Sequence, residues 1–173
     1  MSPATQTLND VNIGAVANLI GAIQADPAKA DTQWRATVTW LGGFRTEAKI
    51  RGFAPISSDE PAGLGGTDTA PNPVEQVLAA LGNCLAVGYA ANATARGIEL
   101  TALRIDISGP VDLHTFLGLR EGHAGFSDVR ADVFLESPAE QSEIFALHDH
   151  VLSTSPVGHT IKAAVPVTIS LAV

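Results

Sequence analysis

The chain has 173 residues, of which 46% are hydrophobic, and this length and composition suit one globular domain with a sizeable core. Its net charge of -8 argues against nucleic-acid and membrane-surface functions, because both need clustered Lys and Arg. The single cysteine excludes an intrachain disulfide framework, and the N-terminal stretch lacks a basic region and a long apolar run, so a cytoplasmic protein is expected.

The first part of the chain predicts a helix followed by a β-hairpin. Residues 8–25 place apolar side chains at helical spacing, and an Asp-Pro pair ends this amphipathic helix. Residues 34–41 and 44–51 each alternate apolar with polar side chains, and Gly42-Gly43 between them is typical of a tight turn. The return strand carries a row of mixed charges, which we interpret as a solvated face.

The stretch from residue 72 to residue 97 predicts the central helix of the fold. Residues 54–71 before it combine Pro, Gly, Ser and Asp without periodicity and predict a long connection. The helix opens with an Asn-Pro pair suited to a capped first turn, and Gly97 suits its far end. Its apolar residues cover most of the circumference, which is typical of a buried helix, and it carries the only cysteine, Cys84.

The second half of the chain predicts two strands, a helix and a final strand. Residues 103–108 and 129–135 alternate apolar with polar side chains, and we expect these strands to pair antiparallel. A Ser-Pro-Ala-Glu capping box starts a helix at residue 137, and Ser155 lies on its inward phase. Residues 165–173 alternate again and predict a strand. The order of elements indicates the α+β class.

The candidate reactive side chains admit more than one interpretation. A thiolate in a protected pocket is a strong nucleophile toward peroxides, but by residue type alone Cys84 is more typical of a small core residue. Glu75 stands three residues after Asn72 and fits a capping glutamate better than a group that orients a cation. His148 and His150 point away from each other on a helix, so we interpret them as surface residues and not as metal ligands. We predict no cofactor.

Two motifs carry a resemblance to a known family. The stretch GGTDTAPNPVEQVLAALGNC leads through the central helix to Cys84, and SPVGHTIKAAVPVTISL follows the end of the second helix. In this order they resemble the OsmC/Ohr family over residues 34–173. The resemblance implies one OsmC-like domain over residues 1–173, with antiparallel curved sheets around two long buried helices. It also implies an intertwined homodimer with interface sites, and residues 1–30 look like a helical extension.

The resemblance also implies roles for individual residues. In the family, a cysteine at the position of Cys84 attacks a hydroperoxide to form a sulfenic acid, and a second cysteine resolves it. Ser155 occupies that second position here, so a two-cysteine cycle is excluded. The family's arginine, which draws the thiol toward thiolate, has Arg45 and Arg51 as candidates. Its glutamate partner corresponds to Glu75, which stands one position closer to the cysteine than is usual in the family's peroxidases.

The resemblance predicts a thiol-dependent peroxidase that reduces organic hydroperoxides or peroxides with one cysteine and an external thiol. The alternative is a non-catalytic homodimer of the same fold that binds a small apolar or electrophilic ligand in its interface pocket. In that case Cys84 lines the pocket and Ser155 forms a hydrogen-bonding wall. Neither prediction involves nucleic acid or a membrane.

Overall fold

The structure is a computed structural model that describes residues 7–163 and 165–171. In chain order its elements are α1 (Ile13–Ala25), β1 (Thr37–Gly42), β2 (Arg45–Lys49), β3 (Ile56–Ser58), α2 (Pro73–Ala95), β4 (Ala102–Ser108), α3 (Leu113–Phe116), β5 (Arg130–Glu136), α4 (Gln141–Thr154) and α5 (Pro156–Lys162). The strands form two antiparallel sheets, β1-β2-β3 and β4-β5. The predicted α+β class is thereby confirmed.

The chain divides into two compact units. Unit 1 comprises the described residues of Met1–Ile13 and Ala80–Val173, and unit 2 comprises Gly14–Ala79. The long helix α2 begins in unit 2 and continues into unit 1. A single domain over residues 1–173, with residues 1–30 as an extension, stays a prediction.

Unit 2 contains the sheet β1-β2-β3. The predicted hairpin is confirmed, since Val38 pairs with Ala48 and the connecting turn places Gly42 and Gly43 at φ 101° and 60°. Such values favour glycine, which has no Cβ to clash with the backbone. β3 lies inside the stretch that was predicted to be an irregular connection. With 3 residues, it is too short to show the alternation by which strands are recognised in a sequence.

The loop between β3 and α2 is built around the carboxylate of Asp59, which is 1% exposed. Its Oδ2 accepts hydrogen bonds from the backbone N–H and hydroxyl of Thr67 (3.1 and 2.5 Å) and of Thr69 (3.2 and 2.9 Å). Its Oδ1 accepts one from the backbone N–H of Glu60 (2.9 Å). These bonds, with that of the Thr67 hydroxyl foremost, hold the pKa of Asp59 well below its usual range. One side chain therefore organises the entry to α2.

The ends of α2 lie where the sequence predicts them. The backbone N–H of Glu75 donates to Asn72 Oδ1 (2.9 Å), and the backbone N–H of Asn72 donates to Glu75 Oε2 (2.8 Å). This reciprocal pair is a capping box and confirms the capping interpretation of Glu75. Gly97, at φ 73°, follows the last turn.

The burial of α2 is narrower than predicted. Within the described chain its buried residues are Leu81, Leu85, Tyr89, Ala93 and Thr94. Val77 and Val87 remain 43% and 69% exposed, so the expected burial around the whole circumference is wrong for the chain by itself. By length and mean hydropathy (1.3), α2 is the one described helix that could cross a membrane, but a core helix passes the same test.

The core of unit 1 forms between α2, α4 and the β4-β5 pair. Its buried apolar residues are Leu81, Leu85, Tyr89, Ala93, Ile98, Leu147 and Val151. The predicted antiparallel pairing of β4 with β5 is confirmed by the register of Ile105 opposite Val133, and both side chains pack against this core. At Gly88, α2 comes close to α4, because a Cβ there would lie 3.1 Å from Val151 Cγ1.

The predicted helix over residues 8–25 is interrupted near its start. Residues Leu8–Asp10 form a 3-10 turn, Asn9 adopts φ 53°, and α1 begins only at Ile13. The cause is tertiary, because the Asn9 side chain makes three hydrogen bonds at the far end of α2. It donates to Thr94 Oγ1 (3.0 Å) and to the carbonyl of Ile98 (2.9 Å), and it accepts from the N–H of Leu100 (2.8 Å).

The second predicted helix begins later than expected. A capping box formed by Glu140 and Glu143 precedes α4, so the predicted capping box at Ser137 is wrong. Ser137 Oγ instead accepts the N–H of Ala139 in a local turn (3.1 Å). At the other end, Ser155 follows α4 and caps the additional helix α5, where Pro156 takes the first position.

The predicted final strand is wrong for the described residues 165–171, which pair with no strand. Residues 172 and 173 lie outside the described residues. The apolar side chains of this segment are 50–91% exposed, namely Val165, Val167, Ile169 and Leu171. An alternating sequence forms a strand only when an adjacent edge supplies ladder hydrogen bonds, and the described chain supplies none to this segment.

Candidate functional site

The candidate site is centred on Cys84, which is half-buried on α2 beside the core residue Leu85. Its Sγ lies 3.3 Å from the hydroxyl oxygen of Ser155, which is within hydrogen-bonding distance for sulfur. The two residues are far apart in sequence, and the packing of α4 against α2 brings them together. The sequence-predicted pair of Cys84 and Ser155 therefore shares one location in unit 1.

Ser155 is held in place by the junction between α4 and α5. It is 5% exposed, and its Oγ accepts the backbone N–H of Gly158 at 3.1 Å. Gly158 allows this approach because a Cβ there would lie only 2.9 Å from Ser155 Oγ. The sequence alone does not reveal this dependence, since Gly158 has the appearance of an ordinary weak position in a helix.

A cleft of about 380 Å³ opens beside the Cys84 sulfur. It is lined by Asn83, Cys84, Val87, Gly88, Ala91, Asn92, Val151, Thr154, Ser155 and Pro156. Apolar groups make up most of this wall, and its described lining contains no Asp, Glu, Lys, Arg or His. Asn92 Nδ2 donates a hydrogen bond to the carbonyl of Gly88 (2.8 Å). The cleft is therefore suited to a small, largely apolar molecule that brings its reactive atom to the sulfur.

The other predicted site residues belong to unit 2. Arg45 opens β2, and its Nε donates to the carbonyl of Gly42 (3.5 Å). The Arg51 guanidinium lies over the ring of Phe53, 4.6 Å from its centroid, and the Arg51 backbone has φ 50°. The Glu75 carboxylate caps α2. Their participation in the Cys84 site stays a prediction.

A second polar pair links α2 to α4 away from the cleft lining. Tyr89 is 1% exposed, its hydroxyl hydrogen-bonds His148 Nδ1, and the two rings stack with centroids 6.1 Å apart. Burial raises the pKa of Tyr89 above its ordinary value. The His148 ring is therefore held by its hydrogen bond and its stacking contact with Tyr89. Among the described residues, no three His, Cys, Asp or Glu side chains are grouped as a metal site.

Comparison with known sequences identifies one family. The family model described as OsmC-like protein matches residues 66–170, a span that contains Cys84, Ser155 and Gly158. No curated protein matches the chain in sequence.

Comparison with solved structures gives the same fold. The OsmC-like protein from Mycoplasma pneumoniae is 20% identical with a TM-score of 0.66, covering 76% of this chain and 89% of that one. An organic hydroperoxide resistance protein OsmC from Legionella pneumophila is 17% identical with a TM-score of 0.56, covering 76% and 92%. An organic hydroperoxide resistance protein from Elizabethkingia anophelis, with thiocyanate bound, is 17% identical with a TM-score of 0.56, covering 76% and 91%. At these identities the similarity concerns the fold.

Proposed function

The chain belongs to the family of OsmC-like proteins, as its motifs predicted, and on this premise we propose that it is a thiol-dependent peroxidase acting through Cys84 alone. The observation that carries the proposal is the position of the Cys84 sulfur, at an apolar cleft and 3.3 Å from a buried hydroxyl. Two of the similar structures are named organic hydroperoxide resistance proteins, which supports the same substrate class.

The proposed reaction begins with attack of the Cys84 sulfur on the terminal oxygen of an organic hydroperoxide. An S–O bond forms, the O–O bond breaks, and the alkoxide leaves and is protonated to the alcohol. The product is a sulfenic acid on Cys84. Because the cleft lined by Cys84 is mostly apolar, an organic hydroperoxide buries its hydrocarbon part there, which stabilises binding by about 25 cal/mol for each Å² removed from water. Hydrogen peroxide has no hydrocarbon part and therefore gains no such binding free energy.

The sulfenic acid must then be reduced by an external thiol, since the chain has no second cysteine. The thiol condenses with Cys84–SOH, releasing water and forming a mixed disulfide. A second thiol attacks that disulfide and regenerates the Cys84 thiol. This dependence favours a reducing compartment such as the cytoplasm, which is part of the proposal.

We also propose that the working form is a homodimer. Among the described residues of unit 2 the buried side chains are Ser58 and Asp59, so this unit has no buried apolar residue. The apolar side chains Val38 and Trp40 of β1, which are 63% and 71% exposed, the exposed side of α2 and the unpaired segment 165–171 all require cover. A second copy of the chain can supply matching apolar surface and strand edges. Within such a dimer, Arg45 and Arg51 are the candidate cations for Cys84.

The proposal is tested by following the loss of cumene hydroperoxide in the presence of excess dithiothreitol, with the Cys84→Ser variant as the matched control. The wild-type protein is expected to consume peroxide above background, and it should carry one added oxygen by intact mass when thiol is omitted. Background-rate loss together with an unchanged mass would overturn the peroxidase proposal.

The same cleft supports a second candidate, the non-catalytic binding of a small apolar or electrophilic ligand. Its uncharged, mostly apolar lining is the observation that favours this alternative. An electrophile such as N-ethylmaleimide would add to Cys84 without turnover, and Cys84→Ser would abolish the adduct. Peroxide turnover above background decides in favour of the peroxidase.

A further inference from the structure

Ser155 and Gly158 are joined by a hydrogen bond, and the Ser155 hydroxyl lies beside the Cys84 sulfur. We propose that they are positioning residues that keep the Ser155 hydroxyl as a hydrogen-bond donor to the Cys84 sulfur and so preserve the sulfenic acid for an external thiol. This inference rests on the proposed peroxidase function. It assigns Ser155 a role different from that of a resolving residue, and it adds Gly158 to the site.

The direction of the hydrogen bond follows from the protons that the two partners carry. A hydroxyl has one proton to donate and two lone pairs that accept. Ser155 Oγ accepts the N–H of Gly158 at 3.1 Å, which leaves its proton and one lone pair for the Cys84 Sγ at 3.3 Å. The sulfur of a thiolate or of a sulfenic acid has no proton to give, so in these two forms the hydroxyl is the donor. Because Ser155 is 5% exposed, little water competes for this proton.

A glycine at position 158 is explained by the limited space beside Ser155 and not by the backbone conformation. It lies within α5, and its φ is outside the left-handed region, so alanine would fit the backbone and favour the helix. A Cβ at this position, however, would lie 2.9 Å from Ser155 Oγ and 3.2 Å from Ser155 Cβ. Any side chain therefore pushes the hydroxyl from its position.

The hydrogen bond matters most after oxidation. With one cysteine in the chain, the sulfenic acid has two competing fates. An external thiol converts it to a mixed disulfide and water. Alternatively, its sulfur attacks a second hydroperoxide, gaining another oxygen and releasing the alcohol, which gives a sulfinic acid. A hydrogen bond donated by Ser155 makes the sulfur a weaker nucleophile and slows the second reaction. The sulfenic acid therefore lasts long enough to react with the external thiol.

The test measures over-oxidation of the full-length protein by intact mass, with excess cumene hydroperoxide and no thiol. The ratio of one-oxygen to two-oxygen adducts is followed over time in wild type, Ser155→Ala, Ser155→Gly and Gly158→Ala. We expect the second oxygen to be added about fivefold faster in all three variants, the effect of losing one hydrogen bond. Ser153→Ala is the matched control, because Ser153 donates to the His150 carbonyl and should behave as wild type.

Two comparisons separate this role from a merely structural one. Glycine retains most of the stabilisation of a serine cap and alanine does not, so Ser155→Gly and Ser155→Ala differ in urea unfolding but should match in over-oxidation. Over-oxidation that follows cap stability, or that equals wild type in every variant, would overturn the inference.

A measurement without peroxide keeps this inference distinct from the proposed function. Cys84 is the only cysteine, so the infrared S–H stretching band of the reduced protein reports this one thiol. The band is expected to shift in Ser155→Ala and Gly158→Ala and to stay unchanged in Ser153→Ala. An unshifted band in the first two variants overturns the positioning role. A wild-type protein that gains no oxygen overturns the peroxidase function instead.

Discussion

Ser155→Cys places a thiol where the hydroxyl oxygen now lies 3.3 Å from Cys84 Sγ, and oxidation should join the two sulfurs. The crosslink would close a loop of 71 residues. In the chain-entropy description such a loop restricts the unfolded state by about 4 kcal/mol at 25 °C. The lost serine cap costs about 1 kcal/mol in both redox forms, so comparing the oxidised with the reduced variant isolates the crosslink.

The assay is urea unfolding of the Ser155→Cys protein, oxidised with diamide or reduced with dithiothreitol, with a count of free thiols beforehand. The oxidised form is expected to have no free thiol, to remain monomeric on a denaturing gel without reductant, and to unfold at a higher urea concentration than the reduced form. Ser153→Cys is the control and should keep both thiols, since the Ser153 hydroxyl is directed to the His150 carbonyl. Two free thiols in oxidised Ser155→Cys would refute the placement of Ser155 against Cys84.

Three further predictions concern the core, the loop and the arginines. Leu147→Ala removes a fully buried side chain and should lower the free energy of unfolding by about 3 kcal/mol, whereas Leu152→Ala, at a residue 37% exposed, should cost less than about 1 kcal/mol by urea unfolding. Asp59→Asn should lower the urea midpoint at neutral pH. Because the pKa of Asp59 is depressed on folding, its contribution is present above the unfolded value of about 4 and is lost as the pH falls below it, so the difference from wild type should narrow in acid. One of Arg45→Ala and Arg51→Ala should slow formation of the Cys84 sulfenic acid about tenfold by removing a charge-assisted contact, and wild-type rates in both would remove these arginines from the site.

The elements that were predicted correctly are those determined by short-range chemistry. The limits of α2 follow from an Asn72–Glu75 capping box and from Gly97, all of which act within a few residues. The hairpin follows from alternation around two glycines, and the β4-β5 pair from alternation in two neighbouring strands. Each of these signals depends only on residues within its own segment, so it can be recognised from the sequence alone.

The errors lie where a distant partner decides the local structure. The Asn9 side chain bonds to the end of α2 and thereby breaks a stretch whose apolar spacing predicts a continuous helix. Residues 165–171 have the alternation of a strand, but the described chain gives them no edge to pair with. In the first case the free energy of long-range contacts outweighs the local helix preference, and in the second the local strand preference is not realised because such contacts are missing.

The candidate site shows the same division between sequence and structure. The sequence by itself determined that the chain has one thiol, on the central helix of an α+β fold, and its family resemblance implied that a serine stands at the position of a second. Only the tertiary structure decided that Ser155 Oγ lies 3.3 Å from Cys84 Sγ and that Gly158 leaves room for this approach. The physical reason is that such a distance depends on how α4 packs against α2 at Gly88 and Val151, which no local pattern encodes.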